Sequence, residues 1–260
     1  MTEWAKAKVL VTGGTRGIGR AVAEQLLNLG AVVTIVGRSA NSVEAALRSL
    51  GADGKRVFGI ARVIDGREEV GIDVAAEASR CMGGLTAVVN AAGGAPVGRA
   101  LDLDWGIWKH EWDVKFWGYL AMARAAALHL HEGGVIVNIL GIAGVDPNPR
   151  LASGTTINGA LRGLTKILAD DLAPRRIRVV AVNPAATETD LLVRMAEQYA
   201  VASQVTTEEA LRQMRAAAPL GRLPHPEDVA AVVAFLLSDE ASMISGSSVD
   251  VDGGLRRGPA

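Results

Sequence analysis

An α/β fold, with one doubly wound parallel sheet covered by helices on both faces, is what this sequence predicts. Three observations carry that expectation. Apolar, β-branched runs alternate with helical patterns along the chain. The runs are apolar at nearly every position rather than at alternate ones, so both of their faces are buried. The first run, "KVLVTGG" (8–14), stops at glycines and passes straight into an amphipathic stretch. At 260 residues the chain suits one large domain. No linker, internal repeat or low-complexity tract divides it, so residues 1–260 are expected to form a single unit.

Each element has a local reason. After the first strand, "GRAVAEQLLNLG" (19–30) reads as an amphipathic helix closed by Gly30. "AVVTIVGR" (31–38) is a second strand, 42–51 a helix, and "RVFGIARV" (56–63) a third strand. Residues 67–83 form a helix, and "LTAVVNAAGG" (85–94) a strand with a glycine exit. One long helix is expected over 104–131, followed by the strand "GVIVNILG" (134–141). A helix over 153–173 and the strand "IRVVAVNPA" (177–185) come next. The helix 226–238 and the strand "SSVDVDGG" (247–254) complete the pattern.

Composition narrows the partners. The formal net charge is −1, which argues against a nucleic-acid or anionic-membrane surface as the main partner. Cys81 is the single cysteine, so no internal disulfide can form, and a reducing cytoplasm fits. The apolar run near the start is too short to span a membrane. No metal site is expected; a small molecule is the expected partner.

The sharpest signal is "VLVTGGTRGIGRAV". A strand runs into Gly13, Gly17 and Gly19 and then into a helix. Glycines permit the tight turn and let backbone N–H groups approach a pyrophosphate, while the helix N-terminus faces its negative charge. Thr15, Arg16 and Ile18 lie within the same loop. This is the Rossmann-type dinucleotide signature. The second strand ends in "VGRS", without the acidic residue that would bond the ribose 2′-hydroxyl of NAD. Arg38, beside Ser39, and Arg16 instead offer two guanidinium groups to a 2′-phosphate, so NADP(H) is favoured over NAD(H).

Taken together, these motifs make the chain resemble the short-chain dehydrogenase/reductase family over essentially its whole length. "TGGTRGIG" (12–19) is similar to the family's TGxxxGxG, and "VNAAGG" (89–94) to its NNAG, with Asn90, Ala91 and Gly93 in place. "IRVVAVNPAATETDL" (177–191) and residues 219–254 follow the family pattern. The resemblance implies that Asn90 and Ala91 line the adenosine ribose. It also implies that Pro184, Thr187 and Thr189 hold the nicotinamide carboxamide. In "RVID" either Arg62 or Asp65 takes the family's adenine-contacting aspartate position.

The family's chemistry uses a Tyr, a Lys four residues later, a Ser before the Tyr and an Asn on the preceding helix. The downstream register, "NGALRGLTKILADDLAPRRIRVVAVNP", aligns without a gap. It puts Gly154 at the Tyr position, Asn158 at the Lys position and Gly141, thirteen residues before Gly154, at the Ser position. Lys115 in "DVKFWG" takes the Asn position. All four have changed beside an intact nucleotide site. Asn158 can still bond a ribose hydroxyl. Lys115 is the one new cation, able to polarise a carbonyl, bind a carboxylate or, if desolvated, exchange a proton. Lys115 and Asn158 are therefore the candidate catalytic residues. Tyr119 is a weaker substitute acid, expected to face the neighbouring helix. Ser153, Thr155 and Thr156 read as cap and first-turn residues, and His110 as a surface histidine.

Trp105, Trp108 and Trp112 recur as one stripe on the long helix. With the helix 153–173, that helix is expected to build a homodimer or homotetramer, as in the family. Residues 191–214 correspond to the family's mobile substrate lid. The leading expectation is an NADP(H)-dependent oxidoreductase with an altered proton-transfer arrangement, acting on a carbonyl, imine or enone. Two alternatives remain. One is non-redox chemistry (isomerisation, cyclisation or elimination) on the same scaffold. The other is a catalytically silent nucleotide-binding sensor or partner subunit.

Overall fold

The computed structural model describes residues 2–51 and 54–257. Positions 1, 52, 53 and 258–260 of the expected 1–260 unit lie outside the described residues. Seven strands form one sheet: β1 (Lys8–Thr12), β2 (Val32–Gly37), β3 (Val57–Ala61), β4 (Leu85–Asn90), β5 (Leu130–Ile139), β6 (Arg178–Pro184) and β7 (Ser248–Val251). Their order is β3-β2-β1-β4-β5-β6-β7, and every neighbouring pair is parallel. The winding reverses between β1 and β4. In such a sheet the ligand crevice opens beyond the carboxyl ends of those two strands.

The helices follow as α1 (Gly17–Asn28), α2 (Ala40–Ser49), α3 (Glu68–Met82), α4 (Trp105–Glu111), α5 (Gly118–Ala127), α6 (Ala152–Leu172), α7 (Asp190–Ser203), α8 (Thr207–Ala216) and α9 (Pro226–Leu237). Alternating side chains of one strand feed opposite layers. Val9 and Val11 of β1 pack with Val22 and Leu26 of α1 and with Val229 and Val233 of α9. Leu10 between them packs on the other face, with Val74 of α3, Met122 of α5 and Leu172 of α6. That two-sided burial explains why the strands read as unbroken apolar runs.

Three expectations need correction. The long helix 104–131 is not continuous. It consists of α4, a wide π-helical turn over Trp112–Trp117, and α5, and it stops at Ala127. Residues 130 and 131 already belong to β5, where Leu130 pairs with Leu85 before the register shifts. A π turn inserts an extra residue into the helical ladder and re-aims the side chains after it, which a regular helical period cannot register. The tryptophan stripe is split accordingly: Trp105 is 69% exposed, with Lys109 6.0 Å above its ring. Trp112 turns inward against Phe116 and the buried Tyr119, Ile157 and Leu161. Lastly, the strands end earlier than their apolar runs: β1 at Thr12, β4 at Asn90 and β5 at Ile139. The glycines beyond them form the loops that line the crevice.

Candidate active site

The glycine loop is shaped by close approach. A Cβ on Gly13 would lie 2.8 Å from the Ala91 carbonyl oxygen, and one on Gly19 2.4 Å from the Gly13 carbonyl oxygen. The first glycine lets β1's exit pass against the β4 loop, and the second lets α1 pack on the loop itself. Gly17 opens α1 with φ of 54°, and a Cβ there would sit 3.5 Å from the Thr189 methyl. Thr189 is the N-cap of α7. Two helix N-termini therefore converge beside Gly17, where their dipoles favour an anion.

Arg16 is the N-cap of α1. Burial and repulsion from Arg194 and Arg38 lower its pKa, with Asp190 opposing. Three guanidinium groups thus gather at this rim, with the Asp190 carboxylate beside them. Arg194, on α7, is a member that no motif in the chain singles out. Ser39 serves as N-cap of α2, accepting from Ser42 N–H at 3.4 Å. Thr15 lays its methyl over Gly37, where any Cβ would come within 2.4 Å of it. Ile18 packs against the α1 core layer. Arg62 continues the pairing of β3 by donating its N–H to the Gly37 carbonyl, whereas Asp65 is tied up by Arg67. The strand register thus brings Arg62, not Asp65, to the Gly37–Arg38 edge.

The expectation for Asn90 needs revision. Its side chain is fully buried and donates to Asn138 at 3.0 Å. Asn138 in turn donates to Thr165 at 3.1 Å. Asn90 thus ties β4 to β5 and α6, and only its backbone borders the crevice. Ala91 N–H donates to the Thr12 hydroxyl at 3.1 Å, fixing the start of the loop that carries Gly93. Pro184 ends β6. Beyond it the Thr187 hydroxyl donates to the Ala185 carbonyl and the Thr189 hydroxyl to the Thr187 carbonyl.

Lys115 lies inside the π turn. It is 8% exposed, and its ammonium donates to the Leu140 carbonyl at 2.8 Å. Its stem passes over Gly93, where a Cβ would come 3.1 Å from Cδ. Burial pulls the ammonium down to about 8, while the Glu111 carboxylate acts in the opposite sense. Asn158 approaches the same peptide from α6. A Cβ on Gly141 would lie 2.9 Å from Asn158 Nδ2, and one on Gly144 2.7 Å from its Cβ. The two glycines are what allow the Asn158 side chain to lie there. Its Oδ1 is buried and has no partner, and neither has the Ser153 hydroxyl on the same helix. Around Gly154 a Cβ would meet nothing within 4 Å.

Other candidates fall away. Tyr119 is buried and donates to the Ile139 carbonyl at 2.9 Å, and burial pushes its phenol far above its usual range. It cannot serve as an acid near neutral pH. Ser153 is no cap: Leu151 holds that position and Ser153 points into the interior. Thr155 and Thr156 donate to the Asn148 and Ala152 carbonyls, as first-turn residues do. His110 is exposed on α4.

Residues 13–256 match the family model described as enoyl-(acyl carrier protein) reductase. The chain belongs to the short-chain dehydrogenase/reductase family. A family relative, the 3-oxoacyl-acyl-carrier-protein reductase of Aquifex aeolicus, is 32% identical over 249 residues, which is 95% of this chain and 96% of that one. Among solved structures, a 3-ketoacyl-(acyl-carrier-protein) reductase from Brucella melitensis complexed with NADH aligns with a TM-score of 0.83 at 30% identity. It covers 96% of this chain and 98% of that one. A short chain dehydrogenase from Burkholderia cenocepacia in complex with NADP gives 0.83 at 31% identity, with 96% and 97% covered. The single Rossmann-like domain and an oxidoreductase of this family are thereby established. The short-chain dehydrogenase/reductase cradle in this chain fits a nicotinamide dinucleotide. The glycine clearances leave room only for backbone, two helix N-termini face one point, and Asn158 Oδ1 is an orphaned acceptor.

Proposed function

We propose that this protein is an NADP(H)-dependent oxidoreductase whose proton donor is Lys115 rather than a tyrosine, and whose substrate is a small carbonyl, imine or enone. Lys115 carries the reading: a buried ammonium, pulled to about 8, held at the end of β5 next to the position where the family's serine would stand. An acid of that strength is mostly protonated at neutral pH and close enough to it to give the proton up, the range in which general acid catalysis is effective.

Arg16 and Arg38, with Arg194 from α7, favour a 2′-phosphate, since no carboxylate stands at the end of β2 to bond a free hydroxyl. Gly13, Thr15, Gly17, Ile18 and Gly19 cradle the pyrophosphate, and Ser39, Ala91 and Gly93 border the adenosine half. Pro184, Thr187 and Thr189 face the carboxamide, and Asn158 accepts from the nicotinamide ribose. Reduced nicotinamide, when bound, supplies a hydride to the substrate carbon. Lys115 then holds the substrate oxygen or nitrogen and gives it a proton, leaving a neutral amine. The open volume at Gly154 admits the substrate where the family carries a tyrosine ring.

The segment 191–214, as α7 and α8, serves as a lid. Val97 N–H donates to Gln198 at 2.9 Å, and the Arg150 guanidinium lies 4.6 Å above the Tyr199 ring. These contacts join the lid to both loops of the mouth and exclude water. A cleft between α3, α5 and α6 exposes Ile72, Leu128 and Ile167, which suits a second copy of this chain and supports a homodimer or homotetramer. Loss of NADPH absorbance with a panel of ketones, imines and enones tests the main reading. Tight NADPH binding with no consumption across the panel defeats it.

A further inference from the structure

Glu111 is the last residue of α4, immediately before the π turn that carries Lys115. They stand four positions apart along the chain, across the start of the π turn. Each of the two consecutive glycines after β4 lies against one of them. A Cβ on Gly93 would lie 3.1 Å from Lys115 Cδ, and one on Gly94 would lie 2.8 Å from Glu111 Oε1. The loop 93–94 is therefore a bare backbone floor for one carboxylate and one ammonium stem.

We propose that Glu111 is a positioning residue that keeps Lys115 charged and aimed at the substrate. The inference rests on the reading of Lys115 as proton donor, but it concerns a pairing that can be measured without turnover.

The surroundings leave Glu111 without a rival. The loop 91–94, the end of β5 at 138–141 and the first turns of α6 at 152–160 contain no ionisable side chain, and the Tyr119 hydroxyl of α5 is buried and donates to the Ile139 carbonyl. What they offer is neutral: the Leu140 carbonyl, the Asn158 amide and the Ser153 hydroxyl. A lysine buried among neutral groups sheds its proton as burial deepens, and an adjacent negative charge opposes this. Glu111 is the one group that acts in that direction. Glu111 is partly exposed, whereas the ammonium is buried. When Lys115 gives up a proton, the N–H bond breaks, an O–H or N–H bond forms on the substrate, and a neutral amine remains. The Glu111 carboxylate then favours its reprotonation from water.

The experiment uses full-length protein labelled with carbon-13 and nitrogen-15 at the lysine ε positions. Only six lysines are present, so Lys115→Met assigns the signal directly. Its midpoint is followed by NMR in wild type, Glu111→Gln and Glu111→Asp. Glu111→Gln is expected to lower the midpoint by about one pH unit, as loss of a neighbouring opposite charge does. Glu111→Asp is expected to restore most of it. In steady-state assays the alkaline limb of kcat moves by the same amount while KM changes little. An unchanged midpoint in Glu111→Gln overturns the pairing, whatever the activity. If the midpoint moves but Lys115→Met still turns over, the pairing stands and the proton-donor reading fails.

Discussion

The Lys115 ammonium and the Leu140 carbonyl meet at 2.8 Å, joining the π turn between α4 and α5 to the end of β5. That contact places a cation against the peptide that Asn158 approaches from α6 through Gly141 and Gly144. Two helices and a strand thus bring their polar groups to one peptide, and the chemistry of the site follows from it.

Removing the ammonium should remove the acid. Lys115→Met is expected to lower kcat by about one hundred- to ten-thousand-fold, the usual contribution of a positioned general acid. NADPH affinity should stay within a few-fold. For wild type, kcat should be flat below pH about 8 and fall above it, because only the ammonium can donate. A profile that rises through pH 8 would show that the amine acts as base instead.

The same group makes stability depend on pH. Its pKa is about 8 folded against 10.5 for an ordinary lysine. Below pH 8 both states are protonated, so the full cost of burying the charge is present. Between pH 8 and 10.5 the unfolded chain binds more protons, and stability rises with pH. The gain is specific to Lys115, so wild type should gain on Lys115→Met over that interval in paired urea titrations. Parallel curves would mean that Lys115 is solvated in solution.

Cofactor choice rests on the arginine rim. Arg16→Ala with Arg38→Ala should weaken NADPH by about 10- to 100-fold, equivalent to one or two charge-assisted hydrogen bonds. NADH should change far less, since it lacks the 2′-phosphate. Fluorescence titration with both cofactors decides this. Equal losses for the two would assign the arginines to the pyrophosphate. Arg194→Ala tests whether the lid helix contributes to the same discrimination.

Gly154 sits in the first turn of α6 with empty space around its missing side chain. Gly154→Ala is therefore expected to stabilise the fold by about 0.5–1 kcal/mol, through lower chain entropy in the unfolded state. That corresponds to a rise in Tm of about 1–4 °C for a domain of this size. A fall in Tm would show that the space is filled in solution.

The cleft between α3, α5 and α6 makes a prediction about assembly. Leu128→Glu and Ile167→Glu place charges on its exposed apolar side chains. Light scattering should report a smaller assembly for each variant than for wild type. Unchanged mass in both would locate the contact between copies elsewhere.

Much of this was legible in the chain itself. Strand runs apolar at every position fixed a parallel sheet buried on both faces, because no other layer arrangement hides both sides of a strand. The spacing of Gly13, Gly17 and Gly19 marked the glycine loop, because Gly13 and Gly19 allow backbone approaches that a Cβ would block and Gly17 takes a positive φ. The absence of an acidic residue after β2 and the identities of Lys115, Gly141, Gly154 and Asn158 were also plain from the letters. Other features were decided by tertiary structure alone. Helical periodicity assumes a constant turn, so it ran α4 and α5 together and missed the π turn that buries Lys115. Motif resemblance assigned Asn90 to the ribose, whereas its side chain binds Asn138 across the sheet. Arg194 and Glu111 are ordinary charges in sequence. They acquire meaning only where a second helix N-terminus meets the glycine loop and where two bare glycines leave room for a carboxylate beside an ammonium. Sequence fixes which groups are available and which backbone paths are open. Distance, burial and the loss of water set their acidity and their partners, and those exist only once distant segments have packed together.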